Sequence, residues 1–275
     1  MLFHAGGRRG TSPNELQDSP SGSVTTGFHG AYDGVGRYPW RRLGCPFPPV
    51  EPPRTGVRFP DPRDIGEAQV VAMGADFRAG TLLEAYRHGI FPWPDGRGRV
   101  PWCSMDPRAI FPLDEPPRWS RSLRRTQRIT PFTCTVDEAF RDVVRACGDE
   151  RPDARWIIPA YVEAFVGLHA LGWAHSVEVW DGRELVGGIY GVAIGSLFAG
   201  ESMFHRRTDA SKIAFATLVT ALRASGFELF DVQVQNPHLE SLGCVEIARD
   251  HYLDAVERAV ARGPLRLKLT DDAHP

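Results

Sequence analysis

With 275 residues, 42% hydrophobic and 24% charged, the chain has the composition of an ordinary soluble globular protein of one large or two small domains. A net charge of −2 argues against wholesale nucleic-acid binding while leaving room for a local basic patch. Five cysteines (Cys45, Cys103, Cys134, Cys147, Cys244), odd in number and without a C-x-x-C pair, argue against a disulfide framework or zinc knuckle and fit a reducing cytoplasm.

No apolar run approaches the roughly 18–20 residues of a membrane span, and the opening MLFHAGGRRG lacks the apolar core of a signal peptide. Residues 1–55 are rich in Gly, Pro, Ser and Arg without a sustained period, so a disordered N-terminal extension is expected. From Phe59 the composition changes. Ala79–His88 carries Leu82, Leu83 and Tyr86 at helical spacing, with Gly89 as the stop. Ile90–Pro94 and Val100–Arg108 concentrate aromatics and prolines into a rigid, irregular wall, which is either packing within a small domain or one face of a cleft. A small N-terminal α/β domain over residues 56–117 is expected.

Ser120 caps a basic helix in which Arg121, Arg124, Arg125 and Arg128 share one face, with Arg118 just ahead and no acid between Arg118 and Arg128. Such a face is either solvated surface or a contact for phosphate oxygens. Phe132–Val136 reads as a strand, Asp137–Cys147 and Pro159–Leu171 as helices, and His175–Trp180 as a strand turning at Asp181-Gly182. Next comes RELVGGIYGVAIGSLFAGESMF (Arg183–Phe204), two apolar runs around Ala193-Ile194-Gly195, which predicts a hairpin within a sheet. Its glycines weaken strands, so they imply a bulge or the close approach of another backbone or a ligand. The stretch closes on one acid, Glu201. A helix over Ala210–Ala224, a strand over Phe227–Val234 and an amphipathic helix over Arg249–Val260 complete an α+β domain assigned to residues 118–262, leaving 263–275 as a tail. The order resembles the acyltransferase fold of the N-acetyltransferase superfamily, with a mostly antiparallel sheet flanked by helices.

On Phe227–Val234, the period of two puts Asp231 and Gln233 on one face. A buried carboxylate and amide side by side must be hydrogen-bonded. They form either an internal clamp or an acceptor pair for the proton of an attacking amine. An N-terminal α-amine, with a pKa of about 7.7–8.0, suits the second reading because it needs little help to deprotonate. Coenzyme A chemistry is disfavoured: where acetyltransferases place a glycine-rich pyrophosphate turn, this chain has HRRTDASK without a glycine.

The runs LLEAYRHGIFPWP, WCSMDPR, SRSLRR, LHALGWAHSVEVW, LVGGIYGVAIGSLFAGESMF, DASKIAFATLV, FDVQ and PHLESLGCVEI together resemble the leucyl/phenylalanyl-tRNA–protein transferase family over roughly three quarters of the chain. The resemblance implies an enzyme that moves Leu or Phe from leucyl- or phenylalanyl-tRNA to proteins with N-terminal Arg or Lys, marking them for degradation without a metal or organic cofactor. It also implies residue roles. Asp231 and Gln233 become the catalytic relay and Glu201 a group that positions the reactants. Trp93 and Trp156 line the cleft, and Ile189, Phe198, Met203, Phe215 and Leu218 receive the transferred side chain. The Arg118, Arg121, Arg124, Arg125 and Arg128 face becomes a tRNA contact. A cytoplasmic monomer is expected. Departures from the family pattern are Ala75 within Met73–Phe77, Cys103 and Met105, and His205 after GESMF, the last able in principle to act as a base. Two alternatives are a leucyltransferase acting on N-terminal Asp or Glu and a non-catalytic tRNA- or degron-binding module. His169, His175 and Glu178 show no zinc-ligand spacing, and packing is their expected role.

Overall fold

The computed structural model describes residues 45–95, 99–150 and 156–269. Among these, β1 (Val70–Met73), β2 (Phe91–Pro92) and β3 (Pro101–Cys103) form a small antiparallel sheet in the order β1-β3-β2, beside α1 (Ala79–Arg87). The larger sheet is built from β4 (Arg108–Phe111), β5 (Thr133–Val136), β6 (Ala174–Asp181), β7 (Glu184–Ile194), β8 (Leu197–His205), β9 (Leu229–Gln233) and β10 (Val245–Ile247). Its order is β10-β4-β9-β8-β7-β6-β5, with every pair antiparallel except β8–β9. That parallel pair needs a crossover, which α5 (Ala210–Ser225) supplies. The remaining helices are α2 (Arg121–Ile129), α3 (Phe140–Asp149), α4 (Pro159–Ala170), α6 (Pro237–Ser241) and α7 (Arg249–Val260). No helix among the described residues is long and apolar enough to cross a membrane.

The large sheet is buried on both faces. Ile189, Phe198, Met203 and Phe230 pack with Ile213, Phe215 and Leu218 of α5 in one core. Tyr190, Val192 and Phe204 pack with Tyr86, Val143 and Phe165 of α1, α3 and α4 in the other. Burial on both sides explains why β7 and β8 read as near-continuous apolar runs rather than alternating ones. The hairpin glycines serve close backbone approach: a Cβ on Gly187 would stand 2.7 Å from the Ala210 Cβ, where α5 settles on the strand.

The expected elements form with shifted ends. Ser120 Oγ accepts from the Leu123 amide at 3.1 Å and starts α2, of which only Leu123 is buried. Gly89 stops α1 with φ +71°. The helix expected from Asp137 begins three residues later, at Phe140. Asp137 takes a left-handed backbone (φ +64°), and its carboxylate accepts from the Ser176 amide of β6 at 3.0 Å. Ala75 likewise takes a left-handed conformation (φ +67°) after Gly74.

Three boundaries are corrected. Residues 45–55, expected within the disordered extension, run as an extended segment against α4 and β6: the Val50 amide donates to Leu171 O at 2.7 Å, and Trp173 Nε1 donates to Val50 O at 2.8 Å. Residues 1–44 lie outside the described residues. β4, expected within the small domain of 56–117, is a strand of the large sheet paired to both β9 and β10. The tail expected from residue 263 packs onto the core through Leu265 and Leu267. In the last two cases apolar side chains too sparse to make a period still find a partner across the fold, whereas in the first the tie is hydrogen bonding to the main chain, with Phe47 and Val50 exposed.

One acid, Glu178, is buried on β6. Glu178 of β6 accepts from Thr135 Oγ1, Ser176 Oγ and the amides of Glu138 and Ala139, and burial outweighs these bonds, raising its pKa from 4.5 to about 7. Folding then costs more as the acid ionises, so stability falls as pH rises from about 4.5 through about 7 and is level above. The shift corresponds to about 3 kcal/mol. Glu178→Gln is expected to flatten that slope in urea-unfolding curves taken across the same range. A variant keeping the wild-type slope would assign it to another group.

Candidate active site

Two β-bulges meet at the centre of the large sheet. On β8, Ser202 pairs with Tyr190 and Gly200 with Gly191, so Glu201 is the extra residue. On β9, Asp231 pairs with Ile110 and Gln233 with Ala109, so Val232 is extra, and Gln233 follows with φ +67°. Bulges re-aim side chains, and these two turn Glu201 and Gln233 toward each other: Gln233 Nε2 donates to Glu201 Oε1 at 2.9 Å. Tyr86 of α1 donates to Glu201 Oε1 at 2.7 Å, and Tyr161 of α4 donates to Oε2 at 2.5 Å. All four side chains are buried. Burial raises the pKa of Glu201 despite the two tyrosine bonds. Burial and the neighbouring Glu201 raise those of Tyr86 and Tyr161 well above normal, keeping both as neutral donors.

Asp231 faces elsewhere. Arg108 of β4 grips it with two parallel bonds, Nε to Oδ1 at 2.8 Å and Nη2 to Oδ2 at 2.7 Å. Tyr252 of α7 donates to Oδ2 at 2.9 Å, and the Gln233 amide donates to Oδ1 at 2.9 Å. Arg108 also donates to Gly89 O at 3.2 Å and lies between the rings of Phe91 and Tyr252, 4.7 and 4.3 Å from their centroids. Burial opposes its charge, and Asp231 more than restores it. The bidentate geometry is the strong form of this pairing, and it commits both Asp231 oxygens. Asp231 therefore holds the Gln233 backbone in its left-handed conformation, and Gln233 in turn reaches Glu201.

Glu201, Gln233 and Asp231 thus form one connected line. The expectation that Asp231 and Gln233 share a face of a regular strand is corrected by the bulge, which sends one toward Arg108 and the other toward Glu201. Trp156 joins the Glu201 side, edge-on to Tyr161 at 5.2 Å. Trp93 packs in the same core beside Phe91, at 6.1 Å. Ile189, Phe198, Met203, Phe215 and Leu218 lie apart from these, closed into the core on the α5 face. His205, at the exposed end of β8, has Nδ1 3.4 Å from Ser211 Oγ.

The arginine face forms on α2 as spaced. Arg121, Arg124, Arg125 and Arg128 are exposed and make no ion pair among the described residues, whereas Arg118 lies 3.5 Å from Glu115. Thr126 of the same helix donates to Asp209 Oδ2 at 3.2 Å, tying α2 to the loop that follows β8.

Sequence reasoning missed Arg108, Tyr86, Tyr161 and Tyr252. The signal for Arg108 was available: a single cation ahead of Ala109-Ile110-Phe111 that a buried strand tolerates only with a carboxylate partner. The tyrosines carried none, because a buried Tyr at helical spacing looks the same whether its hydroxyl meets a main-chain oxygen or Glu201. Chemically, the arrangement offers a buried carboxylate with fixed donors and an amide whose nitrogen is turned to that carboxylate and its oxygen away. Such a pair can hold and orient an attacking amine.

Comparison with known proteins gives two family matches. Residues 110–257 match the model of "Leucyl/phenylalanyl-tRNA protein transferase", and residues 75–106 match that of its N-terminal domain. The chain is 50% identical over 188 residues to a leucyl/phenylalanyl-tRNA–protein transferase of Syntrophobacter fumaroxidans, covering 67% of this chain and 80% of that one. It is 50% identical over 184 residues to a protein of the same name from Chlorobaculum parvum, covering 66% and 94%. A third, from Stutzerimonas stutzeri, is 45% identical over 218 residues, covering 78% and 92%.

Proposed function

Because the chain belongs to the leucyl/phenylalanyl-tRNA–protein transferase family and is thus an aminoacyltransferase, we propose that it moves Leu or Phe from aminoacyl-tRNA to proteins with N-terminal Arg or Lys, and that the line Glu201–Gln233–Asp231 is where it does so. The observation that carries this reading is the buried, fully hydrogen-bonded Glu201 carboxylate on its bulge beside the Gln233 amide. A buried anion held by two neutral hydroxyls and an amide gains most from a cation placed beside it, and the acceptor brings one on its first side chain, its α-amine being neutral when it attacks.

In the reaction the α-amine nitrogen forms the new C–N bond to the ester carbonyl. The C–O bond to the terminal ribose breaks, and the proton leaving nitrogen passes to the departing ribose oxygen. The Gln233 amide oxygen orients the amine, and Glu201 stabilises the positive charge that grows on nitrogen during attack. Asp231 acts by holding Gln233. Trp93 and Trp156 flank the acceptor. The transferred side chain is not placed among Ile189, Phe198, Met203, Phe215 and Leu218, because these are closed into the α5-side core, across the sheet from the tyrosines that hold Glu201. The β8–α5–β9 crossover supports an acyltransferase-type fold, and we read the protein as a cytoplasmic monomer.

The deciding experiment is transfer of labelled leucine from leucyl-tRNA to peptides beginning with Arg, Asp or Ala. Transfer to the Arg peptide alone is expected. Transfer to the Asp peptide would overturn the acceptor assignment, and no transfer with tRNA still bound would leave a binding module.

The exposed arginines of α2 are proposed to contact tRNA phosphates. Replacing Arg124 and Arg125 by Gln is expected to reduce the slope of log affinity against log salt by roughly 1–2 units, measured by filter binding across a salt series. An unchanged slope would remove them from the interface.

A further inference from the structure

Four side chains that the transfer chemistry does not use converge where the extended segment at Cys45 meets the end of α4. Cys45 Sγ lies 3.7 Å from His175 Nδ1, and His175 Nδ1 lies 2.7 Å from Asp137 Oδ2. His169 Nδ1 lies 3.7 Å from Asp137 Oδ1. The donor atoms of Cys45, Asp137 and His169 all fall within 4.8 Å of one another. From these distances we propose that Cys45, Asp137, His169 and His175 form a structural zinc site that fastens the N-terminal segment to the body of the fold.

The donor set is one thiolate, two imidazoles and one carboxylate, a combination suited to four-coordinate zinc. Ligand atoms at zinc bond lengths of about 2.0–2.3 Å stand about 3.3–3.7 Å apart around a tetrahedron; the Cys45–His175 and Asp137–His169 separations of 3.7 Å match, whereas His175 and Asp137, at 2.7 Å, have to move apart to admit the ion. The carriers are fixed and come from separate elements: Asp137 from the turn before α3, His169 from α4 and His175 from β6. Outer contacts are in place as well. The His169 ring lies flat on Phe140 at 4.3 Å, and the Ser176 amide orients Asp137; His169 Nδ1, 2.8 Å from Ala174 O, has to leave that carbonyl to bind the ion. Among the described residues Cys45 is the cysteine of this cluster, so the site contributes a single thiolate. The sequence hid it because the ligands lie 92, 32 and 6 residues apart along the chain (45 to 137, 137 to 169, 169 to 175).

The test uses the full chain, stripped with chelator and titrated with cobalt(II) alone. One equivalent is expected to produce a thiolate-to-cobalt charge-transfer band and tetrahedral visible bands, both displaced by zinc. Cys45→Ser and Cys45→Ala are each expected to lose the charge-transfer band, and His169→Gln to weaken cobalt binding at least tenfold. Zinc is expected to raise the thermal midpoint of the wild type and leave that of the Cys45 variants unchanged. A wild type without the charge-transfer band, or Cys45 variants that keep it, would overturn the site. Neither result bears on the transferase reading, because transfer is measured separately.

Discussion

Arg108→Met is expected to lower the free energy of unfolding by about 3–5 kcal/mol, because it strands a buried carboxylate. Both members of the Arg108–Asp231 pair are almost wholly removed from water, at 1% and 0% side-chain exposure. Asp231→Leu strands the guanidinium instead and is expected to cost a similar amount. The double variant Arg108→Met/Asp231→Leu is expected to be more stable than either single one, since two apolar side chains replace two charges that needed each other. Urea unfolding of the four proteins gives the coupling directly. Leucine transfer should be lost in all three variants, because Asp231 also accepts from the Gln233 amide and fixes its conformation. A single variant of wild-type stability would show that the pair is not needed for the fold. A stable double variant that still transfers leucine would show that Gln233 is held by other means.

Glu201→Gln removes a charge while keeping the shape. The replacement amide can accept from Tyr86 through its oxygen and donate through its nitrogen to the Tyr161 hydroxyl oxygen, so the fold and the affinity for tRNA are expected to hold. The rate of transfer is expected to fall by about 10²–10³, the usual loss when one electrostatic partner of a transition state is removed. Single-turnover transfer to an Arg peptide measures the chemical step, and near-UV circular dichroism checks the packing around Trp156. An unchanged rate would make Glu201 a structural acceptor for the two tyrosines and nothing more. A loss of tRNA binding equal to the loss of rate would place its role in binding.

The parts of the fold that sequence made legible are those in which local rules act alone. The basic helix, the central hairpin and α5 emerge from helical or strand spacing, with Ser120 capping the first, Gly195 turning the second and Gly226 ending the third. β4 and β10, three or four residues each, carry too few positions for a period, and they exist because β9 pairs with β4 and β4 with β10. The site divides in the same way. Glu201, Asp231 and Gln233 stand out as polar groups in apolar strands. Their partners do not, since Arg108, Tyr86, Tyr161 and Tyr252 lie 123, 115, 40 and 21 residues from the groups they hold. The bulge on β9 escaped detection, and the hairpin glycines allowed a bulge on β8 without placing it at Glu201. A bulge is one residue too many on one strand, and only the partner strand reveals the count.

The grip on Asp231 has a bearing on how the protein is made. Arg108 is synthesised 123 residues ahead of Asp231 and 144 ahead of Tyr252. A nascent chain can therefore assemble α1 and the small sheet while Arg108 still lacks the carboxylate that it grips. The grip on Asp231 closes only once α7 has been made and has folded back onto β9.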